Sequence, residues 1–461
     1  MKICIFTLFA ISALAQPVVI KTTNLFDGKG HLLKNREIVV ENGKITRIGP
    51  AKSKPDIDLS GMTVMPGMID THIHATWYFN KEGRLEQGPG RGAKSTAEQA
   101  ALFAAANMNA TLMAGFTTVQ SVGAPLDGDL RDMIAATSIT GPTLLTSLGQ
   151  INENTGDPAK IRARVNELHA HGANLIKLFA TASIRDGGKM TMSAEQIEAV
   201  CGEANKLGLR TLVHAHSAEG ARAAVNVGCT TIEHGTFIDD ATLQLMAAKG
   251  TFFDPNFLVL HNYLDNKPKF LGIGNYNDEG FAYMEKALPL VADVLKRARK
   301  AHVKIVNGSD GVAGAHGRNA EELIYRVRDG GDTAIDALTS ATSVSAESMR
   351  MGDQIGTLGV GMEADIIGVL GDPITDIAAL RKVGFVMKHG AVYKFAPQGN
   401  QGRFISFRAS MVCFAGSDFG SIRKEVSSSA CASSSRASCA SVAPALPCSC
   451  ASPGRNCRAS R

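Results

Sequence analysis

A chain of 461 residues that is 44% hydrophobic and 20% charged is long and apolar enough for one large globular domain plus a smaller one. The formal charge of +5 looks basic, but from Gly399 onward eight Lys/Arg face two Asp/Glu, so the remainder is near neutral. No basic stripe with interleaved aromatics occurs, which argues against a nucleic-acid partner.

The chain opens with MKICIFTLFAISALAQP, a short positive start, an apolar run and a small-x-small site at Ala13-Leu14-Ala15. This layout reads as a secretory signal over residues 1–15, cut before Gln16, and so predicts a periplasmic or secreted protein. Its apolar run is too short for a stable membrane span, and no other stretch is long and apolar enough for one. Residues 16–66 then read as short strands with turn dipeptides at Asp27-Gly28 and Asn42-Gly43. The same texture returns over 352–396, so a small β-sandwich assembled from both ends of the chain is expected.

Between these ends, over 67–351, strands alternate with helical segments. Strands are expected at 67–74, 116–122, 142–148, 174–180, 210–216, 230–235, 251–257 and 303–310. Helices are expected at 96–114, 158–171, 193–207, 218–227, 239–249, 278–301 and 319–329. Eight strands in this order and size predict an α/β fold, a (β/α)8 TIM barrel. A doubly wound open sheet is the structural alternative. After position 397 the text turns rich in Ser, Ala, Cys and Arg with little periodicity, and disorder is expected there. The break in composition follows directly on a completed strand, so two readings stand: a non-native, frame-shifted end or a genuine low-complexity extension.

Six of the nine cysteines lie in that tail and Cys4 in the signal. Cys201 and Cys229, the two left in the body, read as buried free thiols.

Barrels of this kind carry their catalytic residues at the C-terminal strand ends. Here those ends offer His72 and His74, Lys177, His214 and His216, His234, and Asp310. Alternation along a strand turns His72 and His74 to the same side, and His214 and His216 likewise. Each residue alone has an ordinary structural explanation: a core histidine, a snorkelling lysine, a turn aspartate. Nitrogen and oxygen donors on five separate strand ends point instead to a divalent metal, zinc being the first choice for this donor set.

The segments GMIDTHIH, NLIKLFATAS, VHAHSAEGARAAVNVG, TTIEHG and NGSD resemble the amidohydrolase superfamily over about residues 17 to 395. More narrowly they resemble its imidazolonepropionase-like and Xaa-Pro dipeptidase-like branch, close to bacterial members that hydrolyse ochratoxin A. The resemblance implies two divalent ions. His72, His74 and Asp310 would hold one and His214 and His234 the other, with a carbamate on Lys177 bridging them. Asp310 would also be the catalytic proton carrier. His214 is preferred to His216 for its spacing to His234, which leaves His216 to contact substrate.

Arg185, His261, Tyr263, His316 and Arg318 are further candidates for binding substrate. Where many relatives have a Gly-Gly-His loop, this chain reads LGQINENTG. The expected activity is hydrolysis of the amide in an N-acyl amino acid or dipeptide. Cyclic amide or lactone hydrolysis is one alternative and a non-catalytic metal-binding barrel another. The expected partner is a small amide or peptide, and the sequence leaves homo-oligomerisation open.

Overall fold

The computed structural model describes residues 16–90 and 93–396. The expected signal at 1–15 and the expected disorder after 397 lie outside the described residues.

Both ends of the chain build one mixed sheet. Its order is Ala391–Phe395, Val383–Lys388, Ile366–Leu370, Met62–Pro66, Val18–Phe26, Leu32–Glu41 and Lys44–Pro50, with Ile57–Asp58 also paired to Val18–Phe26. Where a sandwich is expected, hydrogen bonds join all eight strands into this one sheet. Two of its hairpins turn on left-handed pairs, Asn42-Gly43 with φ of 51° and 80° and His389-Gly390 with φ of 47° and 76°. Such pairs match the twist of the strands they join. Ile20, Leu25, Ile38, Val64, Ile366 and Phe385 pack as an apolar layer that ties the N-terminal strands to the C-terminal ones.

The central region forms two parallel sheets. One holds Met68–Ile73, Phe116–Ser121 and Thr143–Thr146. The other holds Gln150–Ile151, Leu175–Phe179, Arg210–Ser217, Thr231–Phe237 and Phe252–Asp254. The expected strand at 303–310 is not regular. It makes single bridges instead, Ile305 to Phe253 on one side and Gly311 to Ile73 on the other. Thr71 N–H donates to the Asn307 carbonyl at 2.8 Å on that side, and at the opposite seam Asn174 N–H donates to the Thr146 carbonyl at 2.8 Å.

All seven expected helices form within two residues of their expected ends: Ala97–Met113, Pro158–Ala170, Ala194–Lys206, Ala218–Asn226, Asp240–Lys249, Asp278–Lys300 and Glu321–Arg328. Their starts follow from side chains that satisfy free N–H groups, as in the capping boxes Thr96/Gln99 and Ser193/Gln196. The expected strand at 251–257 stops at Asp254, because Pro255 and a left-handed Asn256 turn the chain into the helix Phe257–Asp265.

Cys201 and Cys229 correct their reading as free thiols. They form a disulfide with Cα atoms 5.4 Å apart, joining the helix Ala194–Lys206 to the turn before Thr231–Phe237. A separation of 28 residues gave no sign that a helix and a strand entry would meet there. Among the described residues, no helix is long and apolar enough to cross a membrane.

Candidate metal centre

The strand ends converge on one cavity lined by His72, His74, Lys177, His214, His216, His234 and Asp310. Each histidine comes from a strand that is buried along nearly its whole length. The imidazoles are therefore held by the sheet and displaced from bulk water.

Three overlapping groups have ligand atoms within 4.8 Å of one another: His72, His74 and Asp310; His214, His216 and His234; His72, Glu233 and His234. Asp310 Oδ1 lies 3.3 Å from His72 Nε2 and 3.2 Å from His74 Nε2. The rings of His214 and His234 are 4.5 Å apart, and those of His216 and His234 4.8 Å. His216 Nδ1 contacts the Thr236 hydroxyl at 2.9 Å.

These residues fit a divalent cation on two grounds. Among the described residues, both ring nitrogens of His72 and Asp310 Oδ1 are buried with polar neighbours 3.0–3.3 Å away but no well-aligned hydrogen bond, which is costly unless another group completes them. The protonation states suit as well. Burial pushes His72, His214 and His234 well below the ordinary imidazole range, and His216 down to about 3, so all four present lone pairs. Burial alone would raise Asp310, but His72, His74 and Lys177 outweigh it and hold the carboxyl well below its usual range.

Lys177 is buried, and its ammonium pairs with the Glu233 carboxylate. Glu233 also sets Oε1 3.0 Å from His72 Nδ1. The sequence reading missed this residue, since in an alternating strand Glu233 and His234 should face opposite ways. His234 has a φ of 68°, which breaks the alternation and lets both side chains reach the centre. Asp310, with a φ of 46°, is likewise in the left-handed region, a strain that persists where its surroundings enforce it.

The proposed substrate contacts divide. His216, Arg185 and Tyr263 line the cavity. Arg185 has its guanidinium 4.1 Å above the Tyr276 ring and 5.4 Å from that of Tyr263, while its Nε donates to Asn275 Oδ1 at 2.8 Å.

The other three do not line this cavity. His261 stacks on Tyr325 at 3.9 Å and lines a separate surface groove. Arg318 turns outward to Asp265 at 3.3 Å. Buried His316 bonds the His74 carbonyl through Nε2 at 3.2 Å and is not among the residues that line the cavity. All three follow turns near the site in sequence, and sequence proximity did not give side-chain direction.

Trp77 and Gln150 were also missed and line the cavity. Trp77 packs on the His74 ring at 4.7 Å, and Gln150, in the segment LGQINENTG, donates through Nε2 to the Val122 carbonyl at 2.9 Å.

Buried imidazoles, a lysine and a carboxylate at parallel strand ends form a candidate site for divalent metal of the kind metal-dependent hydrolases use. A family model described as Amidohydrolase family matches residues 63–393, and the chain belongs to that family. It is a hydrolase acting on carbon–nitrogen bonds.

An ochratoxinase of Aspergillus niger is 24% identical over 448 residues, covering 84% of this chain and 90% of that protein. An imidazolonepropionase of Pseudomonas putida is 24% identical over 383 residues, covering 74% of this chain and 89% of that protein. A crystal structure of a Xaa-Pro dipeptidase with methionine in its active site has a TM-score of 0.74 at 29% identity. It covers 82% of this chain and 100% of that one. The family neighbours share a TIM barrel with an accompanying β domain.

Proposed function

We propose that this chain is a binuclear metal-dependent amidohydrolase cleaving the amide of N-acyl amino acids or dipeptides, phenylalanine amides of the ochratoxin A type among them. The observation that carries the reading is one buried cavity walled by two ligand groups, His72/His74/Asp310 and His214/His216/His234, together with Lys177.

His72, His74 and Asp310 would hold one ion and His214 and His234 the other, with zinc suiting these donors. An ammonium cannot be a ligand, so Lys177 would serve as its carbamate. Divalent cations bound there would polarise the scissile carbonyl and acidify water. Asp310, whose carboxyl sits below its usual range, takes the proton of the attacking water and returns it to the leaving nitrogen. The Arg185 guanidinium, stacked on two tyrosines at the cavity wall, pairs with the free carboxylate of the substrate. Trp77, Phe179, Val259 and Leu260 supply the apolar wall for an acyl or aryl group.

The hydrogen bonds at both seams support reading the two parallel sheets as one (β/α)8 barrel. The signal-like opening and the disulfide support export to the periplasm or beyond.

The test is turnover of N-acyl-phenylalanine and Xaa-Pro substrates, ochratoxin A included, after resupply of zinc and bicarbonate. Release of the free amino acid is expected. Turnover of small cyclic amides with linear substrates inert would move the assignment toward the imidazolonepropionase-like alternative, and inertness toward every amide would refute it.

A further inference from the structure

One side chain at the cavity wall, Asn256, connects the two segments that carry the ligand groups. Asn256 is buried, and its Oδ1 accepts from the backbone N–H of His234 at 3.1 Å. Its Nδ2 donates to the Gly308 carbonyl at 2.7 Å, two residues before Asp310. The two partners fix which way the amide faces, since one offers only a donor and the other only an acceptor.

The position of Asn256 in the chain makes this arrangement unusual. It precedes the helix Phe257–Asp265, where an asparagine ordinarily caps the first turn, yet its side chain makes no capping hydrogen bond. That task falls partly to buried Glu322, whose Oε2 accepts from Leu258 N–H at 2.7 Å. Asn256 is also left-handed, with φ 55° and ψ 64°, a conformation asparagine tolerates better than most residues. His234 at one end of the bridge and Asp310, two residues beyond the other, are left-handed too.

The turn before Asp310 is pinned further by Asp254, whose Oδ1 accepts from Gly308 N–H at 2.9 Å. A Cβ on Gly308 would collide with that same carboxylate, so the approach requires glycine.

From these contacts we propose that Asn256 is a positioning residue that sets the spacing between the two ligand groups by holding the His234 backbone in register with Gly308, at the turn that leads into Asp310. The proposal rests on the metal-centre reading above. Asn256 acts through the backbone of both groups and ligates nothing itself, so its loss loosens both together.

The experiment compares zinc affinity, by competition with a chromophoric chelator, in the wild-type chain and in N256D, N256A and N256G. Asp caps a helix as well as Asn does and still accepts from His234, but it cannot donate to the Gly308 carbonyl. The proposal therefore expects N256D and N256A each to weaken zinc binding by about 10–100-fold at both sites, the usual cost of losing a group that orients ligands. N256G, which relieves the left-handed backbone, should fall equally. N256D binding zinc as tightly as the wild type would overturn the positioning role and leave the hydrolase assignment standing. A wild-type chain that takes up no zinc would overturn both.

Discussion

The two ligand groups differ in charge, although both stand on buried strand ends. His72 and His74 share Asp310, which stays ionised in the folded protein, so that side offers a cation a full negative charge. His214, His216 and His234 are three neutral imidazoles crowded within 4.8 Å, with no carboxylate in their group. A site of neutral donors holds a divalent ion less firmly, so the second group should depend on an anion beyond its own three residues, and the nearest carboxylate, Glu233, stands beside His234 paired with Lys177. On the proposed function a carbamate on Lys177 would supply a further negative charge, and the lysine would then join two unequal groups into one centre.

The largest expected effect breaks the charged side. Asp310→Asn should lower kcat by about 10²–10⁴-fold, the range for losing a general acid–base, as measured by amide turnover under metal saturation. Next, Lys177→Ala should remove most of the bound metal and most of the activity, the neutral side emptying first. Metal analysis on dialysis checks this, and full activity in that variant would sink the bridging role.

Arg185→Ala should raise KM by about 10–100-fold for substrates with a free carboxylate and leave carboxamide-blocked analogues nearly unchanged, consistent with the loss of one charged hydrogen-bonded pair.

A smaller effect concerns pH. Burial lowers His316 to about 4, below the ordinary value near 6.5. Its contribution to stability is therefore present above about pH 6.5 and is lost as pH falls through about 4. The stability difference between the wild type and His316→Gln should shrink by about 1.4 kcal/mol per pH unit across that window, read from unfolding curves at several pH values. Smallest of all, Arg318→Ala removes only a surface ion pair and should change stability by no more than about 0.5 kcal/mol, with kcat/KM unaltered.

The helices and the strand-end residues were legible in the sequence because each depends on local rules. Capping boxes mark where helices begin, and alternation puts His72 with His74 and His214 with His216. What stayed hidden depends on contacts between distant segments. Glu233 is concealed by the left-handed turn at His234, and Asn256 falls inside the expected strand 251–257, with nothing local to reveal its partners. The disulfide needs a helix and a strand entry to meet, and the outward turn of Arg318 depends on where Asp265 lies. Strand 303–310 was legible through its chemistry, yet its backbone makes only isolated bridges, because the turns that aim Asp310 interrupt regular pairing.

The most direct measurement is the divalent metal content of the purified chain by mass spectrometry, before and after resupply of zinc with bicarbonate. The account predicts about two ions per chain, falling to about one or fewer in Lys177→Ala. A wild-type chain that stays free of divalent metal after resupply would contradict it.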